Sequence, residues 1–363
     1  LNHTKMSDRV TYGYWDTNKP KEDGYTQEMI SSDAKNILDR CSVDTLDALP
    51  FEGVDTLLKG FQRNVQRIPN HEFLGGRTGD KFEFWTFREA AELAENLSHG
   101  MMAFGMCPEI EAEDTVWRFV GLQAKNRKEW YLTYMGAMYQ RITTVGLYDT
   151  LGPDSTKFII DQTQMSTMMM SKEYIKKMIQ LKLDEDKSEG MMSTLAHIVS
   201  FDNEFTEEEK ELAEKAEITL YTFEQVIFKG REAKKQGQTS IEEPLPEDTM
   251  TLSYTSGTTG NPKGVKLTQK MLVTTAFGAN MRLGAGSEPM SEKDTYISYM
   301  PSAHSFEQCL FGVAVIYGMR VGCYGGNILK LTEDMQILKP TFMPTVPRLL
   351  NRIYGKIKDN MDQ

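Results

Sequence analysis

Tyr-Thr-Ser-Gly-Thr-Thr-Gly-Asn-Pro-Lys-Gly, residues 254–264, lies between two strand-like segments. Thr251-Leu252-Ser253-Tyr254 leads in, and Val265-Lys266-Leu267 resumes strand character before Thr268 caps a helix. The small residues of such a loop let backbone N–H groups come close to an anion. Thr255, Ser256, Thr258 and Thr259 add hydroxyl donors, Gly257 and Gly260 keep the approach open, and Lys263 adds a full positive charge. Those are the groups a triphosphate needs. The loop is not a Walker A motif, in which Gly-Lys-Ser/Thr closes the run, because here Pro262 precedes Lys263 and Gly264 follows it. A flexible Ser/Thr/Gly linker is the bland reading, but linkers rarely set a proline and a lysine between two strands.

Outward from the loop, strand and helix patterns alternate. Residues 229–248 are rich in Lys, Gln, Glu and Pro and read as a long surface loop. Strand-like runs at 117–123, 142–147 and 195–201 are separated by helical stretches, one of which opens at Asn126-Arg127-Lys128-Glu129-Trp130. Thr86 and Glu89 have capping-box spacing ahead of a helix with apolar face Ala90, Leu93, Ala94, Leu97 and Met101. Residues 72–74 and 82–85 flank a Gly-Gly-Arg-Thr-Gly-Asp turn and predict a hairpin. Val54, Leu57, Leu58, Phe61 and Val65 recur at helical spacing up to Ile68-Pro69-Asn70. Strands alternating with helices predict an α/β layered fold with largely parallel sheets. The globular region is expected at 54–363, after a polar, weakly periodic extension at 1–53.

With 363 residues, 40% hydrophobic and 26% charged, the chain has room for a large core. A formal net charge of -11 argues against a nucleic-acid partner bound by broad phosphate neutralisation, so any anion must be held locally. Cys41, Cys107, Cys309 and Cys323 form no C-x-x-C pair, and the histidines show no metal-binding spacing, so neither a side-chain metal site nor a disulfide framework is expected. The acidic clusters at 184–189 and 207–211 read as solvated charge. The longest apolar run, 309–324, is interrupted by Gly318 and Arg320 and falls short of the roughly 20 residues a membrane span needs. The first residues lack a signal-peptide core and begin with Leu1, which reads as a chain cut from a longer one.

Residues 254–264 resemble the signature loop of adenylate-forming enzymes, the superfamily of acyl-CoA synthetases, firefly-type luciferases and peptide-synthetase adenylation domains. Asn126-Arg127-Lys128-Glu129-Trp130 and Gly146-Leu147-Tyr148-Asp149-Thr150-Leu151-Gly152 resemble the NR-EW and LYDTLG blocks of eukaryotic long-chain acyl-CoA synthetases. Downstream, Ser298-Tyr299-Met300-Pro301-Ser302-Ala303-His304-Ser305-Phe306-Glu307 is similar to the family's YLPLAH-FE block, with Ser302 in place of an apolar residue. Lys339-Pro340-Thr341 and Val346-Pro347-Arg348-Leu349-Leu350 resemble its KPT and VPRLL segments. The resemblance implies the layered N-terminal domain of adenylate-forming enzymes, with αβαβα sheets flanked by helices. It also implies a small C-terminal domain beyond Gln363, with the family's Tyr-Gly-x-Thr-Glu segment and ribose-binding aspartate.

The chemistry so implied is that of a long-chain fatty acid-CoA ligase using ATP, Mg2+ and CoA. A fatty acid carboxylate attacks the α-phosphate, pyrophosphate leaves, and the CoA thiol then displaces AMP from the acyl-adenylate. By this resemblance Lys263 and His304 are the catalytic candidates. Thr255, Ser256, Gly257, Thr258, Thr259, Gly260 and Lys263 bind the nucleotide phosphates, and His304 and Phe306 shape the pocket near the substrate carboxylate. Without the resemblance a lone His beside an apolar strand reads as a packed structural residue. Phe306, Leu310, Phe311 and Val313 are placed for an acyl tunnel, although their helical spacing fits ordinary core. The implied partners are fatty acid, ATP and CoA, in the cytoplasm or on the cytosolic face of a membrane such as the endoplasmic reticulum or peroxisome, with peripheral membrane attachment left open. A chain ending at Gln363 is expected not to complete the reaction alone. Two other readings stay open: a nucleotide- or acyl-binding module without catalysis, and an adenylate-forming ligase with another acid or acceptor.

Overall fold

The computed structural model describes residues 13–15, 29–31, 50–148, 151–184, 192–255, 261–284 and 289–361. The chain divides into two compact units, Leu1–Leu49 and Pro50–Gln363. In the first, β1 (Gly13–Trp15) pairs antiparallel with β2 (Met29–Ser31).

The second unit begins with α1 (Leu57–Arg67), where Thr56 Oγ1 accepts from the Lys59 amide at 3.2 Å and Leu57, Leu58 and Phe61 are buried. β3 (Glu72–Thr78) and β4 (Lys81–Thr86) form the expected hairpin. Gly75 and Gly76 lie within β3, with the Phe84 ring across Gly75 where a Cβ would not fit, and only Gly79, at φ +58, turns the chain. Thr86 and Glu89 complete the capping box of α2 (Phe87–Ala103), each backbone amide donating to the other's side chain. The run at 117–123 divides in two. Trp117 ends a small hairpin of β5 (Ile110–Ala112) and β6 (Thr115–Trp117), and β7 (Phe119–Gln123) alone is the buried strand.

From there helices alternate with strands, as parallel pairing requires of its crossovers. α3 (Lys128–Met138), β8 (Thr143–Gly146), α4 (Pro153–Thr163) and β9 (Thr167–Met170) are followed by α5 (Lys172–Leu183) and β10 (His197–Ser200). α6 (Glu207–Lys215) carries the second acidic cluster, with Glu207, Glu208 and Glu209 in its first turn, where the helix dipole favours carboxylates. Of the first cluster, all but Asp184 lies outside the described residues.

β11 (Thr219–Thr222) leads into α7 (Phe223–Lys235), and here the surface-loop expectation fails over its first part. The Thr222 side chain accepts from the Gln225 amide at 3.1 Å, and Phe223, Val226, Gly230 and Ala233 are buried along one face. The Lys- and Gln-rich composition belongs to the solvent face of that helix. β12 (Thr249–Thr255) and β13 (Lys263–Thr268) form the hairpin around the glycine loop, and Thr268 Oγ1 accepts from the Met271 amide to start α8 (Gln269–Gly284). β14 (Thr295–Ser298), α9 (Ser305–Tyr317), β15 (Arg320–Cys323), α10 (Leu331–Leu338) and α11 (Pro347–Met361) complete the unit.

The larger sheet has seven strands in the order β11-β10-β9-β7-β8-β12-β13, parallel except for the final antiparallel pair. The smaller has four, β14-β15-β3-β4, with only β3 and β4 antiparallel. α3 touches β7 and β8 of one sheet and β3 of the other, so it lies between them. α2 rests on β3 and β4 and packs along α7, which meets β11, while α10 covers β4 and β14. Phe61, Phe73, Phe87 and Phe311 form an aromatic cluster where α1, β3, α2 and α9 meet. The apolar run 309–324 is accounted for by α9, a left-handed turn at Gly318 and β15, and no helix of the described residues is long and apolar enough to cross a membrane.

Candidate functional site

The glycine loop connects β12 to β13, and Thr255 pairs with Lys263 as the last register of that hairpin. Both are exposed, so the Lys263 ammonium stands where the loop emerges. Ser256, Gly257, Thr258, Thr259 and Gly260, expected to hold phosphates, lie outside the described residues. Behind the loop Tyr254 is buried, and its hydroxyl donates to Gln162 Oε1 at 2.8 Å. Burial pushes that phenol up to about 12, so it is a neutral anchor tying the hairpin to α4.

The carboxyl ends of β7, β8, β14 and β15 converge on one cleft, the usual ligand position in parallel α/β sheets. A cavity of about 190 Å³ opens there, lined among others by Lys125, Asn126, Tyr148, Tyr299, Pro301 and Tyr324. Tyr148 lines it and its ring meets the His304 imidazole edge-on at 6.5 Å between centroids. Gly146 makes the junction possible. A Cβ there would fall 2.8 Å from Ala303 Cβ, so the end of β8 approaches the loop after β14 only as glycine.

His304 is the N-cap of α9, with Nδ1 accepting from the Phe306 amide at 3.1 Å. In the neutral ring this bond assigns the proton to Nε2. His304 is exposed as well, so it fastens the helix end while its ring stays open to solvent beside Tyr148. Phe306, two residues on, is 45% exposed at the same helix end. The other tunnel candidates are core: Leu310, Phe311 and Val313 are buried, and Phe311 stacks on Tyr131 at 4.3 Å.

Beneath the cleft lies a polar cluster that the sequence reading does not assign. Glu307 is fully buried, and its Oε1 accepts from Ser298 Oγ at 2.6 Å, Tyr131 Oη at 2.8 Å and the Tyr296 hydroxyl. Asn126 Nδ2 approaches the same oxygen at 3.4 Å and donates to Ser298 Oγ at 2.7 Å and the Met300 carbonyl at 2.6 Å. A glutamate in the first turn of an apolar helix reads from sequence as a capping charge, and nothing in its spacing signals tyrosines arriving from two other elements. Next to Asn126, Arg127 is bound to Glu129, Asp202, Ser171 and the Phe201 carbonyl, which makes it a tie between β7 and the loop after β10.

Residues 61–363 match the family model described as AMP-binding enzyme. The chain belongs to that family. Among curated proteins it is similar to the human long-chain-fatty-acid–CoA ligase 1, 31% identical over 308 residues that make up 85% of this chain and 42% of that protein. It is also similar to the Arabidopsis thaliana long chain acyl-CoA synthetase 4, 30% identical over 86% of this chain and 45% of that one. The chain thus spans less than half the length of these relatives.

Among solved structures, the adenylation domain of a Mycobacterium chelonae carboxylate reductase superposes with TM-score 0.69 at 19% identity, covering 91% of this chain and 54% of that one. The corresponding domain from Segniliparus rugosus, in complex with AMP and a co-purified carboxylic acid, gives TM-score 0.68 at 16% identity, over 90% and 55%. The mixed α/β layers are therefore the fold of the N-terminal part of adenylation domains. Of the motifs that pointed to the AMP-binding family, Tyr148 lines the cleft and His304 meets its ring. Lys339, Thr341 and Pro347 do structural work elsewhere, with Thr341 accepting from the Thr295 amide at 2.9 Å.

Proposed function

We propose that this chain is the ATP-handling part of a long-chain fatty acid-CoA ligase, its large domain at 54–363. The protein would activate a fatty acid carboxylate as its adenylate and pass the acyl group to the CoA thiol, releasing pyrophosphate and AMP. The observation that carries the reading is the match to long-chain-fatty-acid–CoA ligases at about 30% identity across 85–86% of the chain. A fatty acid substrate suits placement on the cytosolic face of a membrane.

In this reading Lys263 meets the β- and γ-phosphates together with Thr255 and the loop 256–260, drawing negative charge away as pyrophosphate departs. His304 donates from Nε2 toward the carboxylate or adenylate oxygens. Phe306 shields that side of the cleft from water, and Tyr148 stands between the phosphate hairpin and the acyl side. Magnesium would neutralise the triphosphate, but among the described residues no three carboxylate, imidazole or thiolate side chains gather, so none is assigned to it.

Calorimetric titration of the chain with ATP and with a sulfamoyl analogue of oleoyl-adenylate tests the reading. Both should bind, and Lys263→Ala should weaken ATP by roughly 10- to 100-fold, the worth of one charge-assisted hydrogen bond, while sparing the analogue, which lacks the β- and γ-phosphates. Absence of heat from both ligands would overturn the proposal. A thioester-forming assay on the complete gene product decides the acceptor.

A further inference from the structure

Glu307 takes no part in the chemistry above, yet its contacts tie together several of the elements around the cleft. Through one oxygen it joins Asn126 at the end of β7, Tyr131 on α3, and Tyr296 and Ser298 on β14 to the first turn of α9. Asn126 carries the connection on to the Met300 carbonyl, and the segment that follows supplies Pro301 to the cavity and His304 to the helix cap. The other carboxyl oxygen, Oε2, makes no hydrogen bond.

We propose that Glu307 is a positioning residue of the cleft: as a neutral acid it holds the wall at 299–306 in place, and when it ionises that wall loosens. The cleft's role as a ligand site comes from the reading above; the behaviour of its wall does not depend on it. An ionised Glu307 would leave a full charge, with one oxygen bare, in a site that water does not reach. Such a charge is tolerated only when paired. The titratable groups that face it are the phenols of Tyr131 on α3, Tyr296 on β14 and Tyr299 just beyond it, and the thiol of Cys323 on β15, all pushed upward by burial and therefore uncharged. Glu307 is itself the one charged residue of α9, and no lysine or arginine among the described residues acts on its carboxyl. Burial accordingly raises that carboxyl to about 7, against the pull of its three hydroxyl partners.

Hydrogen exchange read by mass spectrometry on the whole chain, between pH 5 and 8 and corrected for the intrinsic pH dependence of exchange, tests the proposal without any ligand. Opening of the peptides covering 299–306 should increase roughly 10- to 100-fold from pH 5 to pH 7 in the wild type, since each opening releases one proton. In Glu307→Gln, which keeps the shape and cannot ionise, the increase should vanish. A flat wild-type profile, or the same increase in Glu307→Gln, overturns the proposal. Should Glu307→Gln not fold, Ser298→Ala serves in its place: removing a donor that favours the charged form should move the midpoint to higher pH, and an unmoved midpoint is equally fatal. A chain that binds neither ATP nor the adenylate analogue would sink the ligase reading and leave the exchange result standing.

Discussion

A side chain that caps a helix and meets a cleft-lining ring presents two roles at one position, and His304 is such a case. Its Nδ1 satisfies the Phe306 amide, one of the unpaired donors at the start of α9, while its ring faces Tyr148 across the cleft. Asparagine caps helices well but has no imidazole, so His304→Asn separates the roles. Urea denaturation should place its stability within about 0.5 kcal/mol of the wild type, whereas His304→Ala should lose about 1 kcal/mol. Affinity for the adenylate analogue should fall about tenfold in both, as for one lost hydrogen bond. An asparagine variant that binds like the wild type would reduce His304 to a cap. Asn126 poses the reverse case, a residue read from sequence as part of a family block and found to be structural. Asn126→Ala leaves the Met300 carbonyl without its 2.6 Å donor in a buried site, and should cost about 1–3 kcal/mol in the same denaturation experiment.

At the scale of elements, two glycines on helices have opposite prospects. Gly230 on α7 lies so close to α2 that an added Cβ would fall 1.7 Å from the Asn96 carbonyl oxygen, and backbone does not yield as a side-chain end does. Gly230→Ala should therefore destabilise by about 3 kcal/mol, the upper range for overpacking. Gly278 on α8 has nothing within 4 Å of that position, so Gly278→Ala should stabilise by about 0.5–1 kcal/mol through helix propensity alone. Thermal melts of the two variants should move in opposite directions. The same glycines explain what the sequence conceals. The capping box at Thr86 and Glu89, the β3–β4 hairpin and the strands around the glycine loop were legible because each rests on residues within a few positions of one another. α7 was half lost because Lys229, Arg231, Glu232, Lys234 and Lys235 crowd its second half, where only Gly230 and Ala233 are buried, although the Thr222 and Gln225 pair was a start signal in plain view. The candidate site was legible as far as single motifs go. That Tyr148 meets His304, or that Glu307 collects hydroxyls from α3 and β14, depends on how the two sheets are stacked, and no local pattern encodes that.

For the molecule as a whole, stability against pH sums several buried groups that pull in different directions. Unfolded, Glu307 ionises near its ordinary value of 4.5, and folded it holds its proton to about 7. Between those pH values the unfolded chain has released a proton that the folded chain keeps, so rising pH favours unfolding. The contribution is complete below 4.5, is lost as pH rises through 7, and amounts to on the order of 3 kcal/mol. His99 and His197 act the other way. Burial lowers both, so the unfolded chain takes up protons before the folded one does, and their contribution is present above the ordinary imidazole value and lost as pH falls through the folded values. A wild-type stability curve between pH 5 and 7 is thus nearly flat if the terms offset, and by itself says little about Glu307. The difference from Glu307→Gln removes the histidines from the comparison, since both proteins carry them. Measured by urea denaturation at pH 5, 6, 7 and 8, the stability of the wild type relative to Glu307→Gln should fall steadily up to pH 7 and level off beyond it. Two curves that stay parallel across that range would mean that Glu307 keeps the same charge folded and unfolded, and that its buried place beneath the cleft is held by packing alone.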